Sequence, residues 1–217
     1  MKTTARSRGD QTREALVCAA TRIFGQTGYD AASTREIATA AGANVALIKY
    51  YFGGKDGLYQ AVIAAISDKM EASLVPVLDE LGSAMPLRGR AAVDAMVLLF
   101  SRILDQFTLK EMRDWSRIIA REQQDPTPAF EIIYERFMSR ILTVLALLIS
   151  GASGGAVKGK AARIRATLCI GQVLVFVYAP AATQRFLGWS QLDEKHKKIV
   201  LRELKHIVYN QFPEVTQ

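Results

Sequence analysis

The chain has 217 residues, half of them hydrophobic, with 28 Lys and Arg against 21 Asp and Glu, for a formal net charge of +7. That length holds one large or two small domains with a substantial core, and no continuous apolar run reaches the roughly 18 residues needed to span a bilayer. The N-terminus, MKTTARSRGDQTR, is basic but lacks the apolar stretch of a secretory signal. The expectation is a cytoplasmic protein with no membrane partner, whose positive charge permits an anionic one.

Residues 1–10 are polar and predict no ordered element. A first helix follows, about Thr12 to Thr27. Leu16, Ala20, Ile23 and Phe24 line one face at 3.6-residue spacing, and Gly28 ends it. Ser33 can cap a second helix, Thr34 to about Ala41, with Glu36 returning a bond to the cap as a capping box. Gly42 marks a sharp turn, because glycine takes positive φ at little cost. Asn44 caps a third helix, about Val45 to Tyr51. Ile37, Ala38, Ala41 and Ile48 pack these two helices together, which leaves Val45, Ala46, Leu47, Lys49 and Tyr50 outward. A fourth helix starts near Lys55 with the stripe Leu58, Val62, Ile66 and Met70, and Pro76 ends or kinks it.

Further helices are predicted over about 87–107 and 110–124, before the break Asp125-Pro126-Thr127-Pro128. A long helix covers about 128–149, and the loop SGASGGAVKG follows it. A helix over about 160–179 is stopped or bent by Pro180. The last helix, about 193–212, carries Val200, Leu204, Ile207, Val208 and Gln211 along one side. The run LCIGQVLVFVY, 168–178, reads by composition as either a buried strand or a helix. Its helical flanks and the lack of a partner strand favour helix, and a helix without a polar face must be covered on more than one side. The prediction is an all-α chain of about nine helices, divided into a three-helix unit over 10–56 and a larger helical unit over 57–217.

Residues 33–55, STREIATAAGANVALIKYYFGGK, carry the function. Helix, tight turn and second short helix form a helix-turn-helix, whose second helix enters the major groove. Thr34 and Arg35 open the first motif helix, where free N–H groups and the Thr34 hydroxyl can hold a phosphate. Tyr51, the alternative for which is core packing, and Lys55 are further phosphate candidates. Lys49 and Tyr50 reach base edges, Lys as a donor to guanine. Val45, Ala46 and Leu47 contact thymine methyls or permit close approach, and Asn44 sits at the helix start. Arg6 and Arg8 can form a minor-groove arm or a solvated tail.

Catalytic and metal chemistry has no visible basis. GGKDG at 53–57 lacks the spacing and the preceding strand of a phosphate loop, and reads as a turn into a helix. His196 and His206, ten residues apart, point in different directions and form no metal pair. Cys18 and Cys169 lie in apolar helical contexts. They read as buried small hydrophobes in a reducing compartment, the alternative being a redox thiol without nearby bases to activate it. No catalytic residue, metal site or cofactor is expected. The basic cluster Lys195, Lys197, Lys198, Arg202 and Lys205 reads as a solvated helix face or a second nucleic-acid patch.

From Thr12 to Ile63 the sequence resembles the N-terminal domain of the TetR family of bacterial transcriptional regulators. AATRIFGQTGYDAAS, TREIATAAG, NVALIKYYF and GGKDGLYQAVI carry the likeness. Gly28, Thr34, Ile37, Ala38, Gly42, Ile48, Tyr51, Phe52 and Lys55 stand where the family pattern expects them. REQQDPTPAFE, GQVLVFVYAP and RFLGW are similar to the CecR-like branch. The resemblance implies a homodimer whose last two long helices form a four-helix bundle with their mates. It supports the assignment of Thr34, Tyr51 and Lys55 to DNA. The remaining helices are expected to enclose a small-molecule effector cavity, with Phe107, Met112, Trp115, Ile119, Phe130, Phe137, Gln172 and Phe176 as candidate lining, any one of which can instead be ordinary core. Arg121 and Glu122 serve as polar anchors there or as a structural ion pair. The expected function is a ligand-responsive regulator that acts as a repressor on a palindromic double-stranded operator. The competing readings are a helical small-molecule carrier or enzyme with a vestigial head, and a non-specific architectural DNA binder.

Overall fold

A computed structural model describes residues 7–107 and 112–212. Among the described residues every regular element is helical. They are α1 (Arg8–Thr27), α2 (Thr34–Ala40), α3 (Ala46–Phe52), α4 (Lys55–Ser83), α5 (Gly89–Phe107), α6 (Met112–Gln124), α7 (Phe130–Ile133), a π-helical turn (Tyr134–Met138), α8 (Ser139–Ala152), α9 (Gly159–Tyr178), α10 (Pro180–Leu187) and α11 (Glu194–Asn210). All nine expected helices are present, the one expected over 128–149 being α7, the π turn and α8 in succession. The addition is α10, because Pro180 opens a helix at its first turn, where its missing N–H costs nothing.

Two boundaries and one cap differ from expectation. α1 begins at Arg8 rather than Thr12, because Ser7 and Asp10 cap each other's backbone in a reciprocal box. Arg8 is therefore helical and not part of an arm; Arg6 lies outside the described residues, as do the other residues before Ser7. Pro76 does not end α4. The helix continues to Ser83 with Leu74, Leu78 and Leu81 buried on either side of the proline, and that burial outweighs one lost backbone bond. The capping box expected at Ser33 is replaced by a single bond, from the Arg35 N–H to the Ser33 hydroxyl at 3.2 Å.

The chain forms two compact units, Met1–Lys69 with Arg113–Ile133, and Met70–Met112 with Tyr134–Gln217. In the first, the α1 stripe is buried as predicted, and so are Leu58, Val62 and Ile66 of α4. Phe24, Tyr29 and Tyr59 form an aromatic cluster with centroids 5.0 to 5.9 Å apart. Gly25 is buried where α6 crosses α1: a Cβ there would lie 2.7 Å from the Asp114 Cβ and 2.9 Å from its Cα. Glycine is the residue that permits this approach. Cys18 is exposed, contrary to its reading as a buried hydrophobe, whereas Cys169 is buried. The i, i+4 face of Leu16 and Ala20 turns inward, and Cys18 falls on the opposite side.

In the second unit, α9 packs on α8 and α5, and its buried residues are the small Ala162 and Ala166 with Cys169 and Val173. The Cys169 thiol faces the Gln211 side chain at 3.7 Å. Phe176 stacks on Trp189, which stacks on His196. α9 and α11 thus run antiparallel. The run 168–178 is helical, and one side of α9 is uncovered: Ile164, Leu168, Val175 and Tyr178 are exposed to 51, 65, 42 and 39 %. By length and composition alone α9 is apolar enough to cross a membrane, although one face is packed. On α11, Val200, Leu204 and Val208 are buried as predicted, and Ile207 is exposed.

Candidate DNA-reading face and effector site

The reading face is built locally. α2 ends on Ala41 in the right-handed region, and Gly42 follows at φ 63°. Nothing approaches Gly42 within 4 Å, so glycine is used there for its backbone alone. The Asn44 side-chain oxygen accepts the Ala46 N–H at 2.9 Å and so starts α3 as an Asx cap. Asn44 is thereby committed to the turn. Ile37, Ala38 and Ile48 are buried between the motif helices, with Ala41 half-buried. Val45, Ala46, Lys49 and Tyr50 are exposed together, Tyr50 to 79 %. Leu47 is half-buried and only partly available. α3 ends at Phe52 with Gly53 in the left-handed region.

The junction with α4 has no slack. A Cβ on Gly57 would lie 1.8 Å from the Phe52 carbonyl oxygen. The segment 53–57 is thus the turn into a helix that the sequence indicates. The Lys55 ammonium donates to the Asp30 carbonyl at 3.1 Å and sits 4.6 Å from the centre of the Tyr29 ring. The Tyr29 hydroxyl in turn donates to the Asp56 carboxylate. Lys55 therefore pins the start of α4 to the loop before α2, and the residue is half-buried. Tyr51 is half-buried, with its hydroxyl over the first turn of α1, where a Gly9 Cβ would meet it at 3.3 Å. Thr34 is half-buried and Arg35 exposed at the start of α2.

The effector candidates are not gathered into one described site. Trp115, Ile119, Arg121, Glu122 and Phe130 belong to the first unit, and Met112, Phe137, Gln172 and Phe176 to the second. The Phe107 side chain lies outside the described residues. Met112, Trp115, Ile119 and Phe137 are buried. The Lys69 ammonium lies 5.2 Å from the Trp115 ring centre. The Gln172 side-chain oxygen is buried with no hydrogen-bond partner. A cavity of about 510 Å³ in the second unit is lined by none of these candidates; Leu78, Asp79, Ser83, Ser139, Arg140 and Thr143 contribute to its wall.

Arg121 and Glu122 do not pair with each other. The Arg121 guanidinium donates at 2.6 Å to the Phe24 carbonyl near the end of α1, where a cation also suits the helix dipole. Glu122 is 2 % exposed. Its carboxylate accepts the Tyr59 hydroxyl at 2.7 Å, the Thr127 N–H at 3.1 Å and the Thr127 hydroxyl at 3.0 Å. Burial, and then the neighbouring carboxylate, push the Tyr59 phenol well above its ordinary range. The sequence shows REQQDPT as a helix end but gives no sign that Glu122 reaches Tyr59, 63 residues earlier. The available signal was an acidic residue on the apolar side of α6, which requires a buried donor.

Two family models match the chain. Residues 16–62 match the domain described as bacterial regulatory proteins, tetR family, and residues 91–210 match the C-terminal domain of the HTH-type transcriptional dual regulator CecR. The chain is similar to the HTH-type transcriptional dual regulator CecR of Shigella flexneri, at 31 % identity over 89 % of this chain and 87 % of that protein. It is also similar to the HTH-type transcriptional regulator BetI of Rhizobium meliloti, at 32 % identity over 61 % of this chain and 63 % of that one. Among solved structures, SCO4454 of Streptomyces coelicolor, a TetR-family regulator, shares the fold with a TM-score of 0.63 at 18 % identity, over 96 and 97 % of the two chains. A TetR regulator from Legionella pneumophila does so with a TM-score of 0.60 at 22 % identity, over 97 and 100 %. With its exposed α3 face, its helical fold and a matching C-terminal domain, the chain belongs to the TetR family of DNA-binding transcriptional regulators, with a CecR-type C-terminal domain.

Proposed function

We propose that the chain is a homodimeric repressor that reads a palindromic operator through α3 and is released by a small-molecule effector. The exposure of Val45, Ala46, Lys49 and Tyr50 on one side of a short helix carries the DNA-reading half of this proposal. Lys49 and Tyr50 reach base edges, Val45 and Ala46 permit close approach, and Thr34, Arg35, Tyr51 and Lys55 hold the backbone. By function, residues 10–56 read DNA, and residues 57–217 bind effector and partner. The relatives' names include a dual regulator and, for a Pseudomonas putida relative, a repressor; repression is the mode assigned here. The test is footprinting of the purified chain on the DNA upstream of its own gene. Protection of two half-sites related by a dyad and about one helical turn apart is the expected result. Protection independent of sequence would make it an architectural binder.

The dimer reading rests on α9. Ile164, Leu168, Val175 and Tyr178 recur at i, i+4, i+11 and i+14, a seam of 3.5-residue period left open to solvent. Gly171 completes the seam with no side chain and nothing within 4 Å. A contiguous apolar seam of this kind on a soluble domain marks an association surface. An effector acts by binding unequally to two dimer states that differ in the spacing of their heads, since occupancy alone shifts nothing. Gln172, with its unpartnered oxygen, and Phe176 are the strongest remaining effector contacts.

A further inference from the structure

Residues 153–212 hold ten Lys and Arg against three Asp and Glu, a balance of +7 that equals the formal charge of the whole chain. The first 56 residues, which include the DNA-reading helices, carry +3. Positive charge is thus densest on the proposed dimer half. From Arg136 to Leu192 there is no acidic residue. On α9, Lys160 falls on the apolar seam, and Arg163 and Arg165 flank Ile164, all three exposed. On the antiparallel α11, Lys195, Lys198, Arg202 and Lys205 are exposed. The nearby acids are engaged locally: Glu194 and Asp105 pair with Lys197, Glu203 with Arg202, Asp94 with Arg90 and the Tyr209 hydroxyl, and Asp193 with His196.

A two-fold dimer lays the same patch of surface against itself. A patch that holds both signs can pair plus with minus across the axis. On this one α9 carries no acid, and the two exposed acids of α11, Glu194 and Glu203, are each already paired within their own chain. Changing the crossing angle alters the distances between the basic side chains of the two copies but not the sign of their interaction. At low ionic strength the screening length is about 30 Å, comparable with the length of α9, and the repulsion acts across the whole face. Arginine presents a planar fork that binds oxyanions with two parallel bonds. On the reading that the α9–α11 face is the dimer interface, we propose that this interface takes up multivalent oxyanions of the sulfate or phosphate type between the basic rims of the two protomers. Such anions bind the dimer better than the monomer, so they drive association by mass action.

The experiment is sedimentation equilibrium of the full chain in an amine buffer, with NaCl from about 20 to about 300 mM, and with sodium sulfate at matched ionic strength. The dimer dissociation constant is expected to fall at least about tenfold across the chloride series and by a further several-fold in sulfate. The double variant Arg163→Gln, Arg165→Gln, checked for native helicity by circular dichroism, is expected to dimerise at low salt nearly as well as wild type at high salt. It is also expected to lose most of the sulfate advantage. A dissociation constant that rises or stays level with salt overturns the proposal. Equal effects of sulfate and chloride also overturn it, by reducing the effect to screening. A chain that stays monomeric in every condition, double variant included, removes the dimer reading itself, which is a different failure.

Discussion

Replacing Gly57 with Ala tests whether the position of the reading helix is set by one close contact. The added methyl would sit 1.8 Å from the Phe52 oxygen and 2.9 Å from its carbon. Ordinary contact begins near 3.4 Å, so the end of α3 and the start of α4 must separate by roughly 1.5 Å. Both partners are backbone, and no side chain can rotate away. Overpacking of this kind costs about 1–3 kcal/mol, and the displaced helix also loses base contacts worth about 1–3 kcal/mol each. The expected outcome is a folded protein with a lower Tm and at least about tenfold weaker operator binding. Fluorescence anisotropy on labelled operator, with thermal melts alongside, reads both. Gly42→Ala is the control: φ is also unfavourable there at 63°, but nothing lies within 4 Å, so it pays only a local backbone strain of about 1–2 kcal/mol. Gly57→Ala with wild-type affinity would show that α3 is not positioned by this junction. Equal losses in both variants would show that backbone strain, not the contact, is what matters.

Lys49→Ala should weaken operator binding by about 1–3 kcal/mol while leaving random DNA nearly unaffected; equal loss on both would make Lys49 a phosphate contact. Lys55→Ala should lower affinity for every sequence and reduce the salt slope by about one unit. It should also lower the Tm, because Asp30 and Tyr29 lose their partner. Val175→Glu should sediment as a folded monomer, since Val175 is 42 % exposed in the single chain; a stable dimer would refute the α9 interface. Tyr59 ties stability to alkaline pH. Its folded pKa is raised above the unfolded value of 10.0, so its contribution is complete below pH 10 and is lost as pH rises above it, by up to about 1.4 kcal/mol per unit. Tyr59→Phe should be less stable at neutral pH and show a flatter decline above pH 10 in urea titrations.

The DNA-reading half was legible because its determinants are close in sequence. Gly42, Asn44, Ile37 and Ile48 lie within about three helical turns of one another, and periodicity and turn chemistry fix them without long-range information. Boundaries failed where two local rules competed. Pro76 argues for a helix end, but the leucines around it are buried and the helix continues. Ser33 and Glu36 fit a capping box, but the box forms at Ser7 and Asp10. The effector candidates were legible only as large apolar residues. A buried aromatic in a core and one lining a cavity leave the same trace in a sequence, and the assignment of Trp115 and Phe176 to different units could not be read from spacing. Arg121 and Glu122 illustrate the same limit. Adjacent opposite charges suggest a pair, yet their partners, Phe24 and Tyr59, lie 97 and 63 residues away.

Those two long-range bonds bear on how the chain can be switched. Residues 113–133 belong to the same compact unit as the DNA-reading helices, although the proposed function assigns them to the effector half. Three contacts hold α6 there: Asp114 against Gly25, Arg121 on the Phe24 carbonyl, and buried Glu122 on Tyr59. The first leaves no room, since the backbone of α1 is already close to that of α6. The second fixes the end of α1. The third fixes α4 at Tyr59, two residues after the Gly57 junction that sets α3. Glu122 cannot leave Tyr59 and Thr127 without stranding a buried carboxylate and its donors, at a cost of about 1–3 kcal/mol per unsatisfied group. A translation of α6 therefore carries α1 and α4 with it more cheaply than it breaks away from them. Any ligand that moves α6 acts on the position of α3 through close-packed backbone, and the residues that make this coupling stiff are Gly25, Gly57 and Glu122 rather than the aromatic side chains that would touch the ligand.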